Sequence, residues 1–318
     1  MSVETGVSAE NGVITENGTS VPARAASAAR SRIAALTETR VRRPEAIAEA
    51  AARRPRRSAP AGATGRLMIV AADHPARGAL AAGGDPFAMA DRGELLDRLC
   101  TALDRPGVDG VLAAPDIVED LLLLGVLDGK VVIGSMNRGG LAGASFEIDD
   151  RFTAYSADAI AASRLDGGKV LLRVDDDDPA TADTLEGCAR AVSALAGHGL
   201  LAMVEPFISR RVDGRVRNVL TPEAMIRAVS IASALGTTSA RTWLKVPVVP
   251  DMERVMAAST LPALLLGGEV ADDPRAALDG WRRALRLPTV RGLIVGRSLL
   301  YPRDGDVAGA VDAAVDAL

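Results

Sequence analysis

Only three of the 37 basic residues in this chain are lysines: Lys130, Lys169 and Lys245. Lys245 lies inside RTWLKVPVV (241–249), where Val246, Val248 and Val249 favour a packed strand and Pro247 and Pro250 mark its end. An amine buried there is desolvated, which favours its neutral form and lowers its pKa from about 10.4. A neutral amine can attack carbonyl carbon, whereas a guanidinium stays protonated and cannot. The alternative is a lysine whose head reaches solvent at the strand end. Two acidic residues end or interrupt similar apolar runs: Asp73 closes RLMIVAAD, and Glu205 falls in LLAMVEPF. Carboxylates so placed can move protons or orient a substrate hydroxyl. Lys245, Asp73 and Glu205 are therefore the candidate catalytic residues.

A second group could bind substrate. His74 follows Asp73, Asn137 ends KVVIGSMN, and Arg173 sits within KVLLRVDDDDP. Asn137 could hydrogen-bond a substrate hydroxyl or simply cap a loop. Arg173 could bind an anionic group and depress the Lys245 pKa, or pair with Asp175 or Glu205. Two glycine-bearing stretches, LLLGGE with Gly267 and Gly268 and LIVGRSLL with Gly296 and Arg297, permit close backbone approach to an anion. Arg297 would add charge-assisted hydrogen bonds to a phosphate.

These residues need a scaffold that collects them at one end. From Gly65 onward, short β-rich runs recur at 66–73, 108–116, 130–137, 169–175, 200–207, 241–249, 262–269 and 292–299. Between them lie stretches with helical apolar spacing, such as GELLDRLCTALDRP and TPEAMIRAVSIASALG. Eight strands alternating with helices over about 250 residues predict an α/β fold, a (β/α)8 TIM barrel. The link between the second and third strands is the shortest, and EDLLLLGVL must supply its helix. An open doubly wound sheet is the alternative, but no G-x-G-x-x-G follows the first strand.

In a barrel the chemistry sits at the C-terminal strand ends. By that rule Lys130 and Lys169, each opening its strand, belong to the opposite, solvent-facing end, and His198 does too. Lys245 falls near the active end. Strand alternation turns Trp243 and Lys245 inward if Leu244 and Val246 face the helices. It likewise turns Leu171, Arg173 and Asp175 inward.

The rest of the chain sets limits. A 48% apolar content with a net charge of −4 describes a globular enzyme-like chain, and no nucleic-acid partner is expected. Residues 1–24 are polar and expected to be disordered. Residues 25–64 read as an Ala/Arg-rich extension of two short helices interrupted at Pro44, and residues 65–318 as the barrel. No long apolar segment or signal-peptide core is present, so a cytoplasmic protein without membrane partners is expected. The two cysteines, Cys100 and Cys188, read as buried thiols, and two histidines cannot supply a three-histidine zinc site. No metal and no cofactor are expected.

AADHP, WLKVPVV and VGRSLL together resemble the class I aldolases, Schiff-base barrel enzymes that include deoxyribose-phosphate aldolase and the archaeal-type fructose-bisphosphate aldolases. The similarity spans roughly residues 65 to 305. The chain most resembles a bacterial (β/α)8 family associated with myo-inositol catabolism and commonly labelled deoxyribose-phosphate aldolase-like. The resemblance implies that Lys245 forms an iminium with a ketone substrate while Asp73 or Glu205 moves protons. In an inositol pathway it implies cleavage of 2-deoxy-5-keto-gluconate 6-phosphate to dihydroxyacetone phosphate and malonate semialdehyde. Deoxyribose phosphate and fructose bisphosphate are the alternative substrates, and a homo-oligomer is expected. The archaeal-type tyrosine after the fifth strand has no counterpart in VEPF, since Tyr155 and Tyr301 lie elsewhere. Two other readings remain: an isomerase or decarboxylase in which Lys245 acts only by its charge, and a non-catalytic barrel that binds a sugar phosphate.

Overall fold

The computed structural model describes residues 21–58, 61, 62, 64–268, 270 and 273–318. The polar tail falls, through residue 20, outside the described residues. Among the described residues nine strands form: β1 (Leu67–Ala72), β2 (Gly110–Ala113), β3 (Val131–Ser135), β4 (Gly167–Val174), β5 (Leu201–Val212), β6 (Arg215–Asn218), β7 (Thr242–Pro247), β8 (Ala263–Leu266) and β9 (Val290–Val295). Eight of them, all but β6, pair in parallel in chain order, and β9 returns to β1 to close the barrel. This is a (β/α)8 barrel.

The barrel has two apolar layers set by strand alternation. Leu67, Ile69, Ala71, Leu112, Val131, Ile133, Leu201, Met203, Leu264 and Ile294 cluster inside it. Their neighbours along the strands, such as Met68, Val70, Val204, Leu244 and Val246, pack against the helices. Trp243 packs with the interior set, so Lys245, two residues on, faces inward as its alternation predicts.

Three features depart from the expected layout. The fifth strand does not stop where its run does, at residue 207, but continues to Val212 and folds back as β6. Asp213 and Gly214 make the two-residue turn, both with positive φ (50° and 75°), the conformation this tight hairpin connection requires. The connection from β3 to β4 is a long irregular loop ending in a six-residue helix, Ala157–Ala162. Finally, the short link after β2 forms its helix earlier than EDLLLLGVL suggests, at Pro115–Leu123.

The N-terminal extension forms helices Val21–Arg42 and Ala46–Arg53, with Pro44 between them. Its arginines find partners within the chain. Arg40 pairs with Glu119 and Asp120, each at 2.8 Å. Beyond the helices Arg54 is buried and donates to the carbonyls of Lys130 (2.8 Å) and Arg164 (2.7 Å). Arg56 pairs with Asp166 and Arg57 with Asp109. These carboxylates also accept from the backbone N–H groups of Val132 and Met68, at the N-terminal ends of β3 and β1. The basic stretch thus fastens the barrel floor. Among the described residues no helix is long and apolar enough to cross a membrane.

Candidate active site

Above the last apolar interior layer, the inward positions of several strands turn polar. Alternation from Ala71, Ile133, Met203 and Trp243 brings Asp73, Ser135, Glu205 and Lys245 into one layer at the C-terminal mouth. Lys169 joins them, which corrects its placement at the far end. β4 begins level with the end of β3, because Ser135 pairs with Lys169 in the sheet register. The stagger that closes a barrel therefore lifts the start of one strand to the mouth of its neighbour. The Lys169 side chain is buried between two carboxylates.

The contacts form a chain of alternating charge. Arg138, from the loop after β3, pairs with Asp73 Oδ2 at 2.8 Å and donates to the Asp73 carbonyl from Nη2 (2.6 Å) and Nε (3.2 Å). Ser135 Oγ donates to the same carboxylate oxygen at 3.2 Å. Lys169 Nζ lies 3.2 Å from Asp73 Oδ2 and bonds to Glu205 Oε2. Lys245 Nζ lies 3.1 Å from the other oxygen of Glu205, Oε1. The three candidate catalytic residues are thus brought together, with Lys169 and Arg138 as members that the sequence reading missed. Strand alternation carried a signal for Lys169: if Leu171 and Arg173 face inward, Lys169 does too.

Burial and pairing set the charge states. Burial opposes ionisation of Asp73, but Arg138, Lys169 and Lys245 outweigh it and hold the carboxyl well below the usual range. At Glu205 burial is likewise outweighed by Lys169 and Lys245, which bring its pKa to about 2. Lys169 moves the other way. Desolvation lowers its pKa despite Asp73 and Glu205, with Arg138 and Lys245 adding to the effect.

His74 joins this cluster to the glycine loops. Burial depresses its pKa to about 3 against the pull of Asp73, so the ring is neutral. Its Nδ1 is buried, 3.9 Å from Asp73 Oδ1 and without a hydrogen-bond partner among the described residues. A Cβ on Gly296 would stand 3.3 Å from His74 Cε1 and collide with the Ala71 carbonyl. A Cβ on Gly267 would stand 2.7 Å from Ser298 Oγ, itself buried and without a hydrogen-bond partner among the described residues. Gly268 follows with φ +67°. The loops after β8 and β9 therefore converge beside His74 with a hydroxyl and a ring nitrogen available. Arg297, in the short helix Arg297–Leu300, directs its guanidinium to the Ala81 carbonyl in the loop after β1.

Two expected substrate ligands are spent on structure. Asn137 is fully buried, donating to the Leu171 carbonyl (2.6 Å) and accepting from the Leu171 N–H (2.7 Å), so its amide continues the pairing along the β4 edge beyond the end of β3. Arg173 pairs with Glu147 at 3.0 Å and Asp150 at 2.8 Å, not with Asp175 or Glu205. Arg77 also pairs with Glu147, at 3.2 Å. Together these ion pairs fix the long β3–β4 loop across the mouth. Both partners of Arg173 lie on an irregular loop, where no periodicity could reveal them.

The fold and site define a (β/α)8 barrel with a paired-lysine centre at its C-terminal mouth. Residues 65–315 match the Cgl0159-like family model, and the chain belongs to that family. A crystal structure of Cgl0159 from Corynebacterium glutamicum shares 50% identity, covering 96% of this chain and 98% of that one with a TM-score of 0.88. An archaeal fructose 1,6-bisphosphate aldolase has a similar fold at 19% identity, with 85% and 98% of the two chains covered and a TM-score of 0.62. A Schiff base-forming fructose-1,6-bisphosphate aldolase is similar at 19% identity and the same coverages, with a TM-score of 0.58. Comparison with curated proteins returns no match.

Proposed function

We propose that this protein is a class I aldolase that cleaves a phosphorylated ketose or keto sugar acid through a Schiff base on Lys245. The observation that carries the reading is the Glu205 carboxylate shared by Lys169 and Lys245 at the barrel mouth. Of the two lysines, Lys169 is clamped by both Asp73 and Glu205, while the ion-pair partner of Lys245 is Glu205 alone among the described residues. Lys245 is the amine with freedom to bond to a substrate. The fold likeness to a Schiff base-forming aldolase supports the same assignment.

The Lys245 amine, once it has lost its proton, adds to the substrate ketone, and loss of water leaves an iminium. A carboxylate, Glu205 or Asp73, removes the proton from the hydroxyl on the far carbon of the bond to be broken. That bond's electron pair moves into the iminium, releasing an aldehyde and leaving an enamine. Reprotonation of the enamine and hydrolysis by water free the ketone product and regenerate the amine. No electron acceptor is needed. His74, Ser298 and the glycines 267, 268 and 296, with Arg297, form the cradle for the substrate phosphate.

The substrate implied by the inositol-catabolic resemblance is 2-deoxy-5-keto-gluconate 6-phosphate. A panel of this compound, fructose bisphosphate and deoxyribose phosphate, assayed for the released aldehyde or triose phosphate, tests the reading. Cleavage of one member by the wild type and none by Lys245→Met is expected. Equal turnover by Lys245→Met would overturn the covalent mechanism.

A further inference from the structure

Past Glu205 the fifth strand runs on into a hairpin that the mechanism does not use. Its register opposes Arg210 to Arg217 and Val212 to Arg215, and alternation puts all four side chains on one face. Like charges directly opposite each other destabilise such a pair of strands. Arg210 is compensated, by Asp175 at 3.3 Å and Asp176 at 3.1 Å. Arg215 and Arg217 are exposed and have no ion-pair or hydrogen-bond partner among the described residues. Val212 is 50% exposed, and so are Phe146 on the β3–β4 loop and Leu220 just after β6. Arg211 ties that loop to the hairpin by donating to the Ser145 carbonyl at 2.6 Å. Among the described strands β6 is the outermost, with one edge unpaired. The hairpin thus presents an apolar and cationic surface whose counter-charge its own barrel does not supply.

A complementary feature lies at the foot of the hairpin. There a cleft of about 350 Å³ is lined by Asp175, Asp177, Asp178, Pro179, Arg210 and Arg211. Asp175 is held by Arg210, and Asp178 by Arg211 at 3.0 Å. The Asp177 carboxylate is exposed and without a partner among the described residues, and only its backbone N–H is engaged, donating to Asp175 at 3.3 Å. One surface therefore carries two uncompensated arginines, an uncompensated carboxylate in a cleft, and exposed apolar side chains beside both. A two-fold contact between identical chains requires a self-complementary surface of this kind, because each group on one copy meets a different group on the other. A different protein would have to match the cations and the carboxylate separately. A second copy matches both at once.

We propose that the β5–β6 hairpin is a docking arm for a second copy of this chain, with Arg215 and Arg217 of each copy reaching the Asp177 cleft of the other. Val212 and Phe146 are covered in the same contact. Covering them supplies the apolar centre of the interface, and the reciprocal ion pairs set its register and exclude other partners. The arm continues the strand that carries Glu205, so docking also anchors β5 where it leaves the barrel mouth. The proposal does not depend on the Schiff-base reading of Lys245.

Sedimentation equilibrium of the full chain over about a hundredfold range of concentration reads the assembly directly. The wild type is expected to form a species of at least twice the mass of a single chain. Asp177→Lys, and Arg215→Glu combined with Arg217→Glu, each bring like charges together in the contact. Each should weaken association by about tenfold or more. Mixed in equal amounts, the two variants should pair again. The glutamates of one then meet the lysine of the other, and the remaining arginines meet the remaining Asp177. All three positions are exposed, so the circular dichroism spectra should match the wild type. A wild type that stays monomeric at every concentration would overturn the proposal, whether or not a different protein binds the hairpin. So would association that neither variant weakens, or a weakening that mixing does not restore. The wild-type mass decides the matter even if a variant does not fold.

Discussion

Lys169 and Lys245 hold opposite oxygens of one carboxylate, with Lys245 Nζ 3.1 Å from Glu205 Oε1 and Lys169 bonded to Oε2. Glu205 holds both amines at fixed positions, and in the proposed mechanism it is a candidate to move protons. Replacing Glu205 with Gln keeps the shape and removes the charge. Turnover should fall by about 10²- to 10⁴-fold, the usual contribution of a positioned acid–base group. Steady-state kinetics with a near-native circular dichroism spectrum checks it, and a loss below tenfold would assign proton transfer elsewhere.

Lys169 is nearly inaccessible, and it compensates the buried Asp73 and the largely covered Glu205 carboxylate. Lys169→Met should therefore destabilise the barrel by about 3–5 kcal/mol, as expected when one partner of a buried ion pair is deleted. Urea unfolding monitored by tryptophan fluorescence measures this. A change under 1 kcal/mol would mean that the site relaxes around the loss.

His74 makes stability depend on acid. Its pKa is about 3 in the folded chain against 6.5 in the unfolded one, so between those values the unfolded state binds the extra proton. Stability is fully present above about pH 6.5 and declines as pH falls toward 3. Glu205, at about 2 against 4.5, adds a loss of the same sign at lower pH. His74→Gln should flatten the decline between pH 6.5 and 4.5, where the carboxylate contributes little. Denaturant midpoints at several pH values read the difference, and parallel profiles would exclude His74 as the source.

The cradle is tested by adding one methyl group. In Gly296→Ala the new Cβ meets the Ala71 carbonyl and crowds His74. A phosphorylated substrate should bind about tenfold more weakly, a loss of roughly 1.4 kcal/mol. Inhibition by inorganic phosphate should weaken in parallel. Unchanged phosphate inhibition would place the phosphate elsewhere.

Much of this barrel was legible in the chain. Runs such as RLMIVAAD and GLIVGRSL carry β propensity and fall at barrel spacing, and alternation alone turned Lys245 inward. The hairpin β5–β6 was also signalled, by Asp213-Gly214 between two polar runs, but its arginine-rich strands lack apolar alternation. Lys169 was hidden by the rule that strand starts lie at the floor. Strand stagger, which depends on closure of the whole barrel, overrides that rule. Arg138, Glu147 and Asp150 sit on a loop, where position depends on tertiary pairing and leaves no local pattern. Asn137 shows the converse: a polar residue at a strand end can be consumed by backbone hydrogen bonds, and sequence cannot distinguish that from a ligand.

The central claim is that Lys245 is a nucleophilic amine. Reduction with borohydride in the presence of dihydroxyacetone phosphate, followed by peptide mass analysis, tests it most directly. A stable adduct on Lys245, absent from Lys130 and Lys169 and absent without the ketone, is the predicted result. An unmodified Lys245 under conditions that label a known class I aldolase, or an adduct confined to Lys169, would contradict it.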